Sequence, residues 1–295
     1  MEQKNPREFD QKVYDLFDKF VHGDIDRRTF VDQAGKFGIA GMTGAMILDA
    51  LTPRFAEAEV VPKDDKRIVG EYVEYPSPQG NLKMRGYLVR PAGKKGKLAG
   101  VLVVHENRGL NPHIEDIARR VALEGFMAFA PDALFPLGGY PGDEDKAREM
   151  FAKLDGTKRT EDFVAAAGWL KGRNDCTGKV AVVGFCFGGG VANMLATRIP
   201  DLAGAVPFYG GAPPADDVKN IKCPVLVHHA EKDERLVAGW PAYEAALKAN
   251  NVKYEGFVYP GAQHGFNNDT TPRFDKANAD LAWKRTIEFF QKNLK

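Results

Sequence analysis

The sequence contains little cysteine, no long apolar run and almost no net charge. Its 295 residues include three cysteines, too few for a disulfide framework, so at least one thiol stays unpaired within the chain. No stretch approaches the about 18 consecutive apolar residues of a membrane-spanning helix. Lysine plus arginine number 41 against 40 acidic residues, a net charge of +1, which gives no electrostatic reason to expect a nucleic acid or an acidic membrane as partner.

The rest of the composition is that of an ordinary globular protein. Apolar residues make up 44% and charged residues 27% of the chain, which excludes wholesale disorder. A length of 295 residues predicts one large domain, or one domain with an extension. The pattern changes near residue 62, so we expect a helical extension over residues 1–62 and a main domain over residues 63–295.

The extension begins with an amphipathic pattern. Large apolar side chains recur at helical spacing, with aspartate and lysine between them, which predicts a helix. These apolar residues are Phe9, Val13, Leu16, Phe17 and Phe20. Such a segment would dock on the main domain or on a partner subunit, and in the second case it would build a homodimer.

A second interpretation of the extension is an export signal. Arg27 and Arg28 precede a weakly apolar run over residues 37–51 and an A-x-A pattern at residues 56–58, which together resemble a twin-arginine signal. Asp49 interrupts the apolar run, and the segment before the arginines is patterned like a folded helix. We therefore favour a retained extension and a cytoplasmic location. The alternative is a periplasmic protein that is cleaved after the A-x-A pattern.

From residue 63 onward, short apolar strands alternate with helical stretches. This order predicts an α/β fold with a mostly parallel sheet and helices on both faces. The run LAGVLVVH at residues 98–105 is almost continuously apolar, as expected for a strand covered on both sides. The expected strands are 71–76, 83–91, 98–105, 126–131, 180–185, 203–209, 224–230 and 254–259. The expected helices are 114–124, 162–171, 191–198, 240–250 and 281–293, and residues 136–144 are expected to form a loop rich in Gly and Pro.

The strongest local signal is a cysteine flanked by glycines, GFCFGG at residues 184–189, between an expected strand and an expected helix. In that context G-x-nucleophile-x-G is the nucleophile elbow of the α/β-hydrolase fold, with Cys186 in the place of the usual serine. Glycines are needed because the turn leaves no room for a Cβ, and the following helix N-terminus favours a thiolate. The alternative is a buried cysteine in a glycine-rich turn.

A nucleophile of this kind needs a base and an orienting carboxylate. Asp233 and His264 each follow an expected strand, so both are predicted at the sheet edge where an open α/β sheet builds its site. The chain order Cys186, Asp233, His264 is the order of this fold. Glu231 and Glu234 are rival acids that fit the loop position less well.

The loop after the strand at residues 98–105 carries three further candidates, Glu106, Asn107 and Arg108. In this fold that loop supplies one backbone amide of the oxyanion hole, here the N–H of Asn107, and the residue after the nucleophile, Phe187, supplies the other. Glu106 is a candidate for contact with the thiol; the alternative is a carboxylate that caps a helix or pairs with Arg108.

No pattern in the sequence predicts a metal or a nucleotide cofactor. The chain lacks a Walker A sequence, and residues 184–190 lack the G-x-G-x-x-G order. The histidines outside the candidate triad do not form a zinc set with nearby carboxylates. We therefore expect no metal, no cofactor and a small-molecule substrate. The histidines assigned to no site are His22, His113, His228 and His229.

Taken together, these motifs resemble the dienelactone hydrolase (carboxymethylenebutenolidase) family of α/β-hydrolases over about residues 65–295. The chain also resembles a bacterial branch of that family with a helical N-terminal extension. The resemblance implies a triad of Cys186, His264 and Asp233. It also implies that Glu106 contacts the thiol and helps to control its ionisation.

Two departures from the family pattern concern the substrate. Family members that cleave dienelactone hold its carboxylate with two arginines, whereas this chain has ALFP at residues 133–136 and Asn268 in those places. Arg108 is the candidate substitute, as a substrate contact. We expect hydrolysis of another carboxylic ester or a lactone through a thioester intermediate. The alternatives are an acyltransferase of the same fold and a non-catalytic ligand binder.

Overall fold

The computed structural model of the protein describes residues 9–37 and 41–295 and has one eight-stranded sheet in that part of the chain. The strands are β1 (Ile68–Ser77), β2 (Leu82–Pro91), β3 (Leu98–Val104), β4 (Met127–Pro131), β5 (Cys176–Phe185), β6 (Gly204–Phe208), β7 (Val225–Ala230) and β8 (Tyr254–Tyr259). Their order across the sheet is β1-β2-β4-β3-β5-β6-β7-β8. Strand β2 is antiparallel to both of its neighbours, and every other adjacent pair is parallel. The prediction of a mostly parallel sheet is confirmed.

Helices cover both faces of the sheet and also form the N-terminal part. They are α1 (Gln11–His22), α2 (Arg27–Ala34), α3 (Gly44–Leu51), α4 (Phe55–Ala58), α5 (Pro112–Leu123), α6 (Glu144–Ala152), α7 (Gly156–Gly172), α8 (Phe187–Arg198), α9 (Glu234–Ala249) and α10 (Lys276–Asn293). Short 3₁₀ helices occur at Gly35–Phe37, Phe135–Leu137 and Ala215–Asn220.

The central strand β3 shows why the sheet is buried on both sides. Val101 and Val103 point to one face, where they pack in a cluster with α5 and α10. Leu102 and Val104 point to the other face, in a cluster with α7, α8 and α9. Because side chains alternate along a strand, only an almost continuous apolar run can fill both clusters.

The N-terminal segment, by which we mean the described residues 9–37 and 41–62, has an apolar core of its own. This core is separate from the two clusters on the sheet and contains most of the apolar stripe predicted for α1. The Phe30 ring of α2 packs against Phe17 and Phe20 of α1, with ring centroids 6.0 and 5.4 Å apart. The predicted amphipathic helix is therefore present.

The twin arginines open a folded helix. The Asp26 side chain caps α2 by accepting a hydrogen bond from the Thr29 amide at 2.7 Å, so Arg27 and Arg28 lie in the first helical turn. Of the weakly apolar run at residues 37–51, residues 38–40 lie outside the described residues, and the end of the run forms α3. In the described part of the chain, no helix is both long and apolar enough to cross a membrane.

Five helices differ from the expectation: α7, α8, α9 and α10 begin four to six residues earlier than expected, and α6 is not among the expected helices. Helix α8 begins at residue 187, immediately after Cys186, where three consecutive glycines hid its first turn from a propensity argument. Helix α6 begins at Glu144, the last residue of the expected loop, and covers a stretch for which no element was expected. The sequence gives only weak evidence for this helix, because it is short, its cap is a single Asp143 side chain and only Ala147 and Phe151 are buried.

Candidate active site

Cys186 lies in a strained turn between β5 and α8. Its backbone has φ +54° and ψ −113°, a conformation that costs a non-glycine residue on the order of 1–3 kcal/mol. Two glycines make the turn possible. A Cβ on Gly184 would lie 1.9 Å from the Gly188 carbonyl oxygen, and one on Gly188 would lie 2.3 Å from the Val104 carbonyl oxygen. The sequence motif therefore forms the predicted elbow, which holds the sulfur at the carboxyl edge of the sheet.

Asp233 and His264 meet at the same edge. Asp233 follows β7 and caps α9, and His264 lies in the loop after β8. The His264 Nδ1–H donates to the Asp233 Oδ2 at 2.5 Å, and both residues are only 6% exposed. The bond at Nδ1 leaves Nε2 as the free ring nitrogen of His264, on the side of the ring that faces Cys186. This buried nitrogen has no hydrogen-bond partner among the described residues. The Cys186 Sγ and a ring nitrogen of His264 lie within 4.8 Å of each other.

A second histidine lies beside the sulfur. His22, the last residue of α1, has its Nε2 3.6 Å from the Cys186 Sγ. Its Nδ1 donates to the Asp18 carbonyl oxygen at 2.8 Å and lies 3.3 Å from that residue's carboxylate. The His22 and His264 rings form an edge-to-face pair with centroids 5.1 Å apart. The thiol therefore sits between two imidazoles.

The electrostatics of this cluster favour an ionised nucleophile. Burial would raise the pKa of the Cys186 thiol, but the positive charge of His264 and the hydrogen bond with His22 lower that pKa to about 6. Burial would likewise lower the pKa of His264, yet the thiolate and Asp233 raise it well above its ordinary value. The pKa of His22 rises to about 10 in spite of burial, because Asp18 and Cys186 stabilise its charged form. The lowered pKa of Cys186 and the raised pKa of His264 both favour a thiolate beside an imidazolium.

A pocket of about 450 Å³ opens beside the sulfur. Its walls include His22, His264, Phe187 and Tyr209, together with Asn107 from the loop after β3. The structure thus brings Asn107 and Phe187, the two predicted oxyanion-hole residues, to the same cavity as Cys186. The assignment of their backbone amides to an oxyanion stays a prediction.

The other two candidates from the loop after β3 are held by protein groups. The Glu106 carboxylate accepts a hydrogen bond from the Asn268 side-chain amide at 3.2 Å. The Arg108 guanidinium donates to the Asn107 Oδ1 at 2.7 Å and lies 3.7 Å from the Glu144 carboxylate. The alternative pairing of Glu106 with Arg108 is therefore replaced by a pairing of Arg108 with Glu144. The role of Glu106 at the thiol and that of Arg108 in substrate binding stay predictions.

A sequence model of the dienelactone hydrolase family matches residues 84–294, which is most of the main domain. The chain belongs to the dienelactone hydrolase family. Members of this family are hydrolases that act on ester bonds. A second model, described as YqhI-like, matches residues 1–37 and so covers α1 and α2.

Individual relatives agree with this membership. A protein of Escherichia coli strain K12, provisionally named carboxymethylenebutenolidase, is 32% identical over 247 residues that cover 79% of this chain and 90% of the relative. "Protein usf" of Aquifex pyrophilus is 36% identical and covers 77% of this chain and 100% of its own. The hydrolase fragment YghX of Escherichia coli strain K12 is 54% identical over 116 residues, which are 39% of this chain and 99% of the fragment.

Solved structures show the same fold. A provisionally named dienelactone hydrolase from Klebsiella pneumoniae superposes with a TM-score of 0.67 at 28% identity and covers 76% of this chain and 99% of its own. The dienelactone hydrolase-like promiscuous phosphotriesterase P91 from metagenomic libraries has a TM-score of 0.66 at 25% identity, with 78% and 100% covered. The predicted α/β-hydrolase fold is confirmed.

His22 is the residue of this dienelactone hydrolase family member that sequence reasoning missed. It lies in the N-terminal extension, more than 160 positions from Cys186, so the sequence gives no reason to place it at the site. The available signal was the spacing of Asp18 and His22, which places a carboxylate and an imidazole one helical turn apart on α1. That spacing alone does not say which surface the helix docks on.

Proposed function

We propose that the protein hydrolyses small carboxylic esters or lactones with a triad of Cys186, His264 and Asp233. The observation that carries the proposal is the 2.5 Å contact of His264 Nδ1 with buried Asp233, with the other ring nitrogen directed to a thiol on a nucleophile elbow. This arrangement fixes the imidazole in the tautomer that a base or acid at the sulfur requires. The lowered pKa of Cys186, about 6, supplies the thiolate at neutral pH.

The acylation half of the reaction uses the thiolate directly. The Sγ electron pair forms a bond to the carbonyl carbon, and the carbonyl electrons move to the oxygen. The backbone amides of Asn107 and Phe187 stabilise that oxyanion, a contribution of about 10²–10³-fold per donor in related sites. When the intermediate collapses, the C–O bond breaks and the leaving alkoxide takes the proton from Nε2 of His264.

The deacylation half returns the enzyme to its resting state. Neutral His264 takes a proton from water as the water oxygen attacks the thioester carbon. The C–S bond then breaks, the acid product leaves, and the thiolate again faces an imidazolium. A lactone follows the same steps, except that its leaving oxygen stays joined to the acyl group through the carbon chain, so the product is a single hydroxy acid.

The substrate we propose is small and does not rely on an arginine clamp at the two family positions. The pocket of about 450 Å³ is within the range of small-molecule sites. Asn268 lies at the position where the resemblance places an arginine, and its side-chain amide donates a hydrogen bond to the Glu106 carboxylate. We propose that this bond holds Glu106 near the site, where its charge helps to control the ionisation of the Cys186 thiol. We also propose that Arg108 lines the approach to the pocket.

We also propose that the N-terminal segment is retained and that the protein works in the cytoplasm. Arg27, the first of the twin arginines, forms an ion pair with Asp145 of the main domain, so it is part of an internal contact. The intact mass of the protein from its native cells tests retention, because a cleaved form lacks the segment. The mass in solution tests whether the segment also joins two copies in a homodimer.

The experiment that tests the proposed function is the Cys186→Ala variant with p-nitrophenyl acetate and simple lactones. We expect loss of turnover with an unchanged far-UV circular dichroism spectrum. Cys223→Ala is the matched control, because that thiol is buried and burial raises its pKa to about 12, so it takes no part in the reaction. Undiminished turnover by Cys186→Ala would contradict the mechanism.

A further inference from the structure

The N-terminal segment contributes a second carboxylate–histidine pair to the nucleophile. The Nδ1 of His22 donates to the Asp18 carbonyl oxygen at 2.8 Å and lies 3.3 Å from the Asp18 carboxylate, whereas Nδ1 of His264 donates directly to the Asp233 carboxylate. The Nε2 of His22 lies 3.6 Å from the Cys186 Sγ, and a ring nitrogen of His264 lies within 4.8 Å of the same sulfur. The two pairs approach the sulfur from different elements, one from α1 and the other from the loop after β8. The proposed triad needs only the Asp233–His264 pair, so the Asp18–His22 pair requires its own explanation.

The end of α1 is held over the site by several groups of the main domain. The Asn107 side-chain amide donates to the Val21 carbonyl oxygen at 2.9 Å. Arg148 donates to the Phe20 carbonyl oxygen at 3.0 Å, and its guanidinium lies 4.2 Å from the centre of the Phe20 ring. These contacts fix the last turn of the helix and therefore the direction of its final side chain.

Asp18 is held in the same way. The Arg273 guanidinium lies 3.3 Å from the Asp18 carboxylate and 5.0 Å from the centre of the Phe17 ring. Arg273 therefore fixes the carboxylate that in turn fixes His22. A docking surface that needed only adhesion would not require a partly buried chain of arginine, carboxylate and imidazole that ends at a reactive sulfur.

We propose that His22 is a further catalytic residue, supplied by the N-terminal segment, whose Nε2–H donates a hydrogen bond to the Cys186 thiolate and holds it ionised before attack. The proton stays on His22 throughout, so no bond is made or broken in this step. The proposal deepens the proposed function, because it rests on Cys186 as the nucleophile. It makes the N-terminal segment part of the active site.

Removal of His22 leaves His264 as the imidazole that faces the sulfur. Loss of one charge-assisted hydrogen bond should raise the pKa of Cys186 by about one unit, from about 6. The thiolate fraction at pH 6 would then fall about fivefold. The charged and titratable groups around this pair, which stay in place in the variant, are Asp18, Glu106, Arg108, Tyr209, Asp233, His264 and Arg273.

The test uses the full chain and a readout that does not need the ester reaction. The rate of Cys186 alkylation by iodoacetamide is measured from about pH 5 to pH 9 by mass spectrometry of the Cys186 peptide, since only the thiolate reacts. In His22→Gln we expect the midpoint of the rate curve about one pH unit higher than in the native protein. Asp18→Asn should move it in the same direction by less. Lys12→Ala, an exposed change on α1, should leave it unchanged.

Folding is checked on the same samples, because a displaced helix would imitate a lost hydrogen bond. Thermal unfolding and near-UV circular dichroism of His22→Gln should match the native protein, since His22 lies at the end of α1 and outside the apolar core of the N-terminal segment. An unchanged alkylation midpoint in a folded His22→Gln protein would overturn the proposal, and so would a shift equally large in Lys12→Ala.

Ester turnover separates this proposal from the proposed function. If the alkylation midpoint moves in His22→Gln but the native protein turns over no ester or lactone, the hydrolase mechanism fails, and only the hydrogen bond by which His22 holds the Cys186 thiolate ionised stands. If the native protein hydrolyses esters and His22→Gln keeps the native pH profile of kcat/KM, the assignment of His22 fails and the hydrolase mechanism stands.

Discussion

Replacement of Asp233 by Asn tests the carboxylate separately from the rest of the proposed triad. The side chain keeps its shape, and Asn caps a helix as well as Asp does, so α9 should be preserved. What disappears is a charge-assisted hydrogen bond of 2.5 Å between two residues that are 6% exposed. Bonds of this kind contribute about 2–3 kcal/mol, which corresponds to roughly a 30- to 150-fold fall in kcat/KM. Some activity should remain, because His22 still faces the thiol.

The assay is the hydrolysis of p-nitrophenyl acetate by Asp233→Asn, with Glu231→Gln as the matched control. Glu231 is a rival acid in the same loop, but it is exposed and its carboxylate accepts a hydrogen bond from the Gly261 amide at 2.9 Å. We expect native activity in Glu231→Gln. Equal losses in the two variants, or native activity in Asp233→Asn, would refute the assignment of Asp233 as the orienting carboxylate.

Two further predictions follow from the same geometry. The pKa of Cys186 is lowered to about 6, so the reactive thiolate is lost as the pH falls. In a pH series of initial rates, kcat/KM should decrease tenfold per pH unit below about pH 6 and level off above about pH 7. A midpoint of this profile near the ordinary thiol pKa would contradict the prediction. Gly188→Ala should lower the free energy of unfolding in urea by about 1–3 kcal/mol, because its Cβ would lie 2.3 Å from a backbone oxygen. In the control Gly190→Ala, the nearest atom to the new Cβ is 3.8 Å away, so this change should be neutral or slightly stabilising. Equal effects of the two substitutions would contradict the close approach at the elbow.

The sequence allowed prediction of the sheet because its strands are buried on both faces. A run such as residues 98–105 has few alternatives to a covered strand, and GFCFGG can form the turn at Cys186 only with glycines at its three crowded positions. The chain order of the triad then follows from the order of the strands. The predicted strand boundaries were close for the same reason, since polar loop residues follow the buried runs directly.

The part of the site that sequence could not provide depends on how α1 docks. Its apolar stripe predicted a helix with a buried face, and that face is buried within the N-terminal segment itself. The surface over which His22 lies is decided by long-range polar contacts such as Asn107 with Val21 and Arg148 with Phe20. No local pattern encodes contacts between residues more than 80 positions apart.

The dual imidazole environment also gives a physical reason for cysteine at the elbow. A thiol has an ordinary pKa within a few units of neutrality, so two nearby positive rings can ionise it at physiological pH. A serine hydroxyl in the same place would stay protonated. The N-terminal segment and the choice of nucleophile therefore fit together in one account of the site.

The most direct test of the central claim is the mass of the protein during turnover. Rapid acid quenching after mixing with p-nitrophenyl acetate, followed by peptide mass spectrometry, shows which atom carries the acyl group. The account predicts a transient acetyl group on the Cys186 peptide that decays as p-nitrophenol release continues. Turnover without an adduct at Cys186, or with the acetyl group on another residue, would contradict it.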